Sequence, residues 1–183
     1  MVSIVGMAGT GKSDVSRVFE QNGFTRIRFG DVTDEEIKKR GLEPNEGNER
    51  LVRELLREGG EKDAYARLNQ PRIEQALNPS QGEGRNVVID GLYSWEEYVY
   101  LKELYGENLY LVAVWSSPQT RYERLARRSN RPLTVEEAAK RDKTEIENIA
   151  KGGPIAMADF TIVNESSPEE LIKEAERIVA LLK

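Results

Sequence analysis

Gly6-Met7-Ala8-Gly9-Thr10-Gly11-Lys12-Ser13 fits the spacing G-x-x-x-x-G-K-[ST]. Glycines at these positions let backbone N–H groups curl around a phosphate chain, and a helix starting behind them adds unpaired donors and a favourable dipole. In such a loop Lys12 neutralises the β- and γ-phosphates and the Ser13 hydroxyl ligates Mg2+. The bland alternative is a glycine-rich turn followed by a chance Lys-Ser. It is disfavoured because strand, turn and helix patterns fall in register around the loop.

Two carboxylates stand where strands should end. Asp90 closes the apolar run Asn86-Val87-Val88-Ile89 and is followed by Gly91. A carboxylate there could hold Mg2+ directly or through water, or cap a turn. Asp31 follows Gly30 after the strand-like Phe24–Phe29. It could orient an acceptor hydroxyl or take up its proton, or stabilise the dipole of a helix beginning near Thr33; both roles can hold together. Arg121, Arg124, Arg127, Arg128 and Arg131 are clustered, and Arg141 follows. The spacing puts Arg121, Arg124 and Arg128 near one helix face. Arginines suit the spread charge of a transferring phosphoryl group, although Glu123, Glu136 and Glu137 could equally pair with them on a solvated helix.

The elements needed to position these residues can be read from the chain. Val2-Ser3-Ile4-Val5 is a short strand, and Lys12 to Asn22 a helix with Val15, Val18 and Phe19 on one face. Further strands are expected at 24–29, 86–90, 109–115 and 160–163. Strand–helix alternation with near-continuous apolar strands is the signature of a parallel α/β sheet covered on both faces. Capping-box patterns at Thr33, Ser94, Thr134 and Ser167 mark helix starts, with Pro168 suited to a first helical position. A polar, helix-rich stretch at 34–81 and a basic, mixed stretch at 129–153 interrupt the alternation. Residues 78–84 read as a turn. Trp95, Tyr98 and Tyr100 could stack on a base, but at this spacing they more often pack a helix on the sheet.

Composition narrows the chemistry. The 183 residues suit one domain. With no cysteine and no histidine, thiolate and imidazole chemistry are excluded. What is left is carboxylates, Lys, Arg, hydroxyls, backbone groups and a hard cation. A net charge of −5 speaks against a general nucleic-acid binder, and no apolar run approaches the ~20 residues of a membrane span. A cytoplasmic protein without nucleic-acid or membrane partners, monomeric or a weak homo-oligomer, is expected.

The layout resembles the nucleoside-monophosphate-kinase-like branch of P-loop kinases, and dephospho-CoA kinases most of all. The resemblance rests on the P-loop, Gly30-Asp31, Val88-Ile89-Asp90-Gly91, Arg124-Leu125-Ala126-Arg127-Arg128 and Ala158-Asp159-Phe160-Thr161-Ile162-Val163-Asn164. Around Arg40-Gly41-Leu42-Glu43-Pro44 and Arg141-Asp142 the chain looks closer still to a group of predicted nucleotide kinases found largely in archaea.

This resemblance implies a three-layer P-loop fold with a five-stranded parallel sheet. The core would be 1–33, 82–128 and 154–183, with an acceptor-binding insert at 34–81 and a lid at 129–153. It implies ATP and Mg2+ as cofactors and a small nucleotide-like acceptor as partner. Gly6, Ala8, Gly9, Thr10, Gly11, Lys12, Ser13 and Asp14 would hold the phosphates. Arg124, Arg128, Asn164 and Ser166 would contact the nucleotide, and Ser13 and Asp90 the metal. Lys12, Asp31, Arg128 and Arg131 would serve catalysis, with Arg141 a further lid candidate. Leu92-Tyr93-Ser94 stands where monophosphate kinases carry Phe-Pro-Arg, and Phe29-Gly30-Asp31 keeps one carboxylate of the usual Asp-x-Asp. The competing reading is a regulatory P-loop NTPase that signals through loop ordering. Asn-Lys-x-Asp motifs for guanine are not evident.

Overall fold

The computed structural model describes residues 1–78, 86–129 and 132–183. β1 (Val2–Val5), β2 (Thr25–Arg28), β3 (Val87–Asp90), β4 (Tyr110–Trp115) and β5 (Phe160–Val163) form one parallel sheet in the order β2-β3-β1-β4-β5. Val2 pairs with Val88 on one side and with Tyr110 on the other. The chain leaving β1 therefore opens between β3 and β4 at their carboxyl ends, where the strand order reverses and α/β sheets bind ligands.

Strand alternation splits the core into two layers. Val2, Ile4, Val88, Val112 and Val114 face α1 (Lys12–Gln21) and α9 (Pro168–Leu182), where they meet Val15, Phe19, Leu171 and Ile178. Val5, Ile27, Phe29, Ile89 and Leu111 face the opposite side, where Tyr65 and Ile73 of α4 (Ala64–Leu77) and Leu101 of α5 (Trp95–Tyr105) cover them. This is the α/β class that the apolar strands foretold. α2 (Asp31–Lys39) and α3 (Glu46–Leu56) precede α4; α6 (Pro118–Ala126), α7 (Val135–Ile149) and α8 (Gly152–Ala156) lie between β4 and β5.

Three of the four expected caps form. Ser94 and Thr134 make reciprocal capping boxes with Glu97 and Glu137, and Ser167 accepts from the Glu170 N–H ahead of Pro168. Thr33 does not cap. α2 starts two residues earlier, with Gly30 at its cap, so Thr33 lies inside the helix and shares a 2.5 Å hydrogen bond with the Tyr65 hydroxyl. That buried contact with α4 outweighs the local capping signal. The turn read at 78–84 lies, beyond Asn78, outside the described residues.

The aromatics of α5 pack rather than wait for a base. Tyr100 donates to Gln70 of α4 beneath the Arg67 guanidinium, and Trp95 sits 5.2 Å from the Tyr98 ring and against Gly153 of α8.

The Ser94 cap carries a pH signature. The Glu97 side chain is fully buried, and one of its oxygens accepts from the Tyr93 and Ser94 N–H groups. Burial pushes its carboxyl up to about 7, against the opposing charges of Arg57 and Lys151. The folded protein therefore keeps a proton that the unfolded chain releases near 4.5. Stability should fall as pH rises through the window between these values and level off above it. The loss should be on the order of 3 kcal/mol. Glu97→Gln keeps the amide oxygen as acceptor and removes the titration. Urea melts between pH 4.5 and 8 should show the variant with a flatter profile; parallel profiles would refute this origin.

Candidate phosphate-binding site

Gly6 leaves β1 at φ +146°, and a Cβ there would fall 2.4 Å from the Val114 carbonyl oxygen. Gly11, at φ +97°, precedes α1, and its Cβ would fall 2.7 Å from Asn164 Nδ2. Both positions need glycine, for close approach and for left-handed backbone. The loop between them is braced by the Thr10 hydroxyl, which donates to the Met7 carbonyl at 3.0 Å. Lys12 Nζ donates to the same carbonyl at 2.8 Å, so the amine spans the loop mouth.

That amine is enclosed. Burial pushes its pKa down to about 7, Lys151 and Arg141 push the same way, and Glu145 and Asp90 only partly oppose them. A polyanion in the loop would reverse this balance. Ser13 Oγ donates to Asp90 Oδ1 at 3.5 Å, so hydroxyl and carboxylate face each other. They offer hard oxygen donors of the kind Mg2+ takes alongside water and substrate phosphates. Among the described residues, no group of three or more acidic side chains makes a free-standing metal cage. Asp14 turns outward to Arg17 at 2.9 Å, and its N–H closes onto the Gly11 carbonyl.

Asp31 opens α2, and Arg28 Nη1 reaches it at 2.7 Å and Asp34 at 2.9 Å. The helix-dipole role is thus structurally present. The sequence-predicted nucleotide-side residues Arg124 and Asn164 meet. Arg124 donates to Ser116 Oγ and to Asn164 Oδ1, while Asn164 Nδ2 donates to the Thr10 carbonyl at 2.9 Å. Ser166 is exposed on the loop beyond β5. Glu165 of that loop, unremarked in the sequence, accepts from the Ser117 N–H and the Thr120 hydroxyl.

The arginine cluster divides. Arg121 is not at the loop mouth: it is 4% exposed and grips Asp142 of α7 through both nitrogens, at 2.9 and 2.6 Å. It also donates to the Ala8 and Ser116 carbonyls at 3.2 Å. The expected helix face shared with Arg124 and Arg128 does not form, because α6 ends at Ala126, ahead of Arg128, and Arg121 is turned to Asp142. Arg127 is exposed and pairs with Glu123. Arg128 follows the end of α6 and is exposed; desolvation and Arg141 lower its pKa, with Asp14 opposing. Arg131 lies outside the described residues.

Arg141 joins α7 to α3. From α7 it reaches Glu145 at 3.0 Å and Glu46 of α3 at 3.4 Å, and Glu46 also binds Arg53 at 2.5 Å. Burial opposes its charge, but the two carboxylates raise its pKa. Glu145 in turn holds the buried Lys151 amine at 2.6 Å. Burial would raise the Glu145 pKa, yet Lys151 and Arg141 together hold it far below the carboxylate range. Tyr93, in the stretch that lacks the Phe-Pro-Arg arginine, places its ring 5.2 Å from the Lys151 amine. Burial raises its phenol pKa strongly, and Asp90 adds to the shift.

Arg26, Tyr93, Glu145 and Lys151 escaped the sequence reading. Only Arg26 left a usable signal, as a charge on a strand face otherwise marked by the buried Phe24. The others depend on where α8 docks.

Comparison with known proteins fits this geometry. Residues 2–151 match the AAA domain family. The UPF0200 protein of Thermococcus kodakarensis is 37% identical over 98% of this chain and 96% of its own length. The chain belongs to the UPF0200 family. Another UPF0200 protein, from Hyperthermus butylicus, is 35% identical over 100% of this chain and 94% of its own. These relatives are archaeal, as the resemblance implied. A shikimate kinase from Bacteroides thetaiotaomicron superposes with a TM-score of 0.65 over 99% of this chain and 97% of that one, at 13% identity. A gluconokinase from Sinorhizobium meliloti gives 0.60 over 99% and 91%, at 16% identity. The UPF0200 chain therefore has a P-loop kinase fold. Among its described residues no helix is long and apolar enough to cross a membrane.

Proposed function

We propose that this UPF0200 protein is an ATP- and Mg2+-dependent kinase that phosphorylates a small nucleotide-like acceptor, a nucleoside monophosphate or dephospho-CoA. The observation that carries the reading is the Lys12 amine, whose charge is disfavoured by burial, Lys151 and Arg141 against Glu145 and Asp90, beside the facing pair of Ser13 and Asp90. Such a site favours a polyphosphate over a single carboxylate ligand.

In this reading Gly6, Ala8, Gly9, Thr10, Gly11, Ser13 and the start of α1 hold the phosphates, with Arg124, Asn164 and Ser166 on the nucleotide side. Ser13 and Asp90 are the residues that would hold Mg2+, which would supply positive charge to offset that of the phosphates. Lys12 and Arg128 neutralise the transferring group, and 129–153 serves as the lid, Arg131 included. Residues 34–81 form the acceptor insert. Asp31 orients the acceptor and receives its proton. Residues of α7 and α8 exclude water from the reacting oxygens.

An acceptor screen with Mg-ATP, reading ADP release against an acceptor-free control, tests the proposal. Release stimulated by a nucleoside monophosphate or dephospho-CoA is expected. Acceptor-independent release that responds to a protein partner would instead return the regulatory NTPase reading. Asp31→Asn should lower acceptor-dependent turnover by roughly 100-fold, the usual scale of general-base loss, while ATP affinity stays within about twofold in isothermal titration. Equal turnover in variant and wild type would remove Asp31 from the chemistry.

A further inference from the structure

Asp90 does not meet the P-loop as a free carboxylate. Arg26, on neighbouring β2, donates to Asp90 Oδ2 from Nη2 at 2.5 Å and from Nε at 3.2 Å. The two side chains are 19% and 5% exposed. The register explains the contact: Arg26 lies opposite Val88, on the α1 side of the sheet, and its long side chain runs forward to the residue two positions on. The far side of its guanidinium faces Glu20 of α1 at 3.8 Å. Oδ1 of Asp90 remains on the Ser13 side.

Burying this pair costs desolvation, so a shorter apolar residue at position 26 would serve the fold at least as well. The pair does something else. It compensates the charge of Asp90, which also lies within electrostatic reach of the Lys12 amine. A bare divalent cation approaching Ser13 thus meets a neutral pair and a lysine, with no acidic cage among the described residues to hold it. Nucleotide phosphates supply the missing negative charge.

We propose that Arg26 is a positioning residue for the cation site: it fixes Asp90 with one oxygen toward Ser13 and compensates its charge, so that a divalent cation enters only together with nucleotide phosphates. The inference rests on the nucleotide side of the proposed function and is independent of the acceptor. Arg26 acts through Asp90.

Mn2+ titrations of the full chain, followed by electron paramagnetic resonance with and without a non-hydrolysable ATP analogue, test it. Wild type should bind Mn2+ only with the analogue. Arg26→Met uncovers the Asp90 charge and frees its second oxygen, so analogue-free Mn2+ binding should tighten at least about tenfold. Adding Asp90→Asn should abolish that gain, and Arg26→Lys, which keeps the charge, should keep the nucleotide requirement. Thermal melts establish that each variant is folded. Should Arg26→Met not fold, the wild-type titration and Arg26→Lys still decide. Wild type that binds Mn2+ equally well without the analogue overturns the inference. So does a folded Arg26→Met that keeps the wild-type profile, or an Arg26→Lys that loses it. Wild type that binds no nucleotide in any form overturns the proposed function and this inference together; failure of the acceptor screen alone leaves the Mn2+ result standing.

Discussion

Lys12→Ala should lower turnover by about a thousandfold, close to 4 kcal/mol of transition-state stabilisation. The substitution removes the fixed charge of the P-loop and leaves its backbone donors in place. Thr10 still braces the Met7 carbonyl, and Gly6 and Gly11 keep their backbone conformations. The loop should therefore survive while its hold on phosphate does not. Stability separates this outcome from simple unfolding. In the ligand-free protein the Lys12 amine is partly buried within reach of the Lys151 and Arg141 charges, and its charged form is disfavoured. Deleting it should leave the ligand-free melting temperature equal or higher. The nucleotide response should disappear: a ligand at a hundred times its Kd stabilises by about 2.7 kcal/mol, and the variant should gain almost none of this. Calorimetry with and without Mg-ATP gives both readings. A Lys12→Ala protein that melts as wild type and still gains the full nucleotide shift would sink the phosphate assignment.

Local signals were legible wherever one segment carried the whole pattern. The P-loop, the five strands and the caps at Ser94, Thr134 and Ser167 each needed only neighbours in the chain. Thr33 shows where such reading stops: its hydroxyl had two uses, and Tyr65 of α4, far along the chain, decided which one it took. Arg121 makes the same point for function. Helical spacing put it with Arg124 and Arg128, but spacing cannot say that Asp142 would arrive beneath it on a helix docked across α6. Asp90 was legible as a strand-end carboxylate; its partner Arg26 was not, because parallel register is set by sheet assembly rather than by local sequence. Lys151 and Tyr93 were hidden for a related reason: both owe their surroundings to the packing of α8 against α5 and β4. The P-loop and its flanking elements were thus readable, while the charges around it were assembled from distant segments.

Arg121→Met should be the most destabilising single substitution considered. The guanidinium is buried, doubly bonded to Asp142, and donates to the Ala8 carbonyl inside the P-loop and to the Ser116 carbonyl after β4. Tyr122 adds a third donor to the same carboxylate, at 2.9 Å. Methionine fills much of the aliphatic volume but leaves Asp142 buried with only the tyrosine. Breaking a buried pair in this way costs about 3–5 kcal/mol. For a chain of this length that corresponds to a melting-temperature drop of roughly 10–15 °C. Removing both partners in Arg121→Met/Asp142→Leu eliminates the uncompensated charge, so the double variant should recover most of the loss, with a coupling energy of about 2 kcal/mol or more in a double-mutant cycle. Nucleotide affinity should follow a different course. The Ala8 carbonyl loses its donor in both variants, so the P-loop loses its brace to α6 even where stability returns. A double variant that regains thermal stability but binds Mg-ATP several-fold more weakly than wild type would separate the two roles of Arg121, docking α7 and bracing the P-loop. Full recovery of both would reduce it to docking alone.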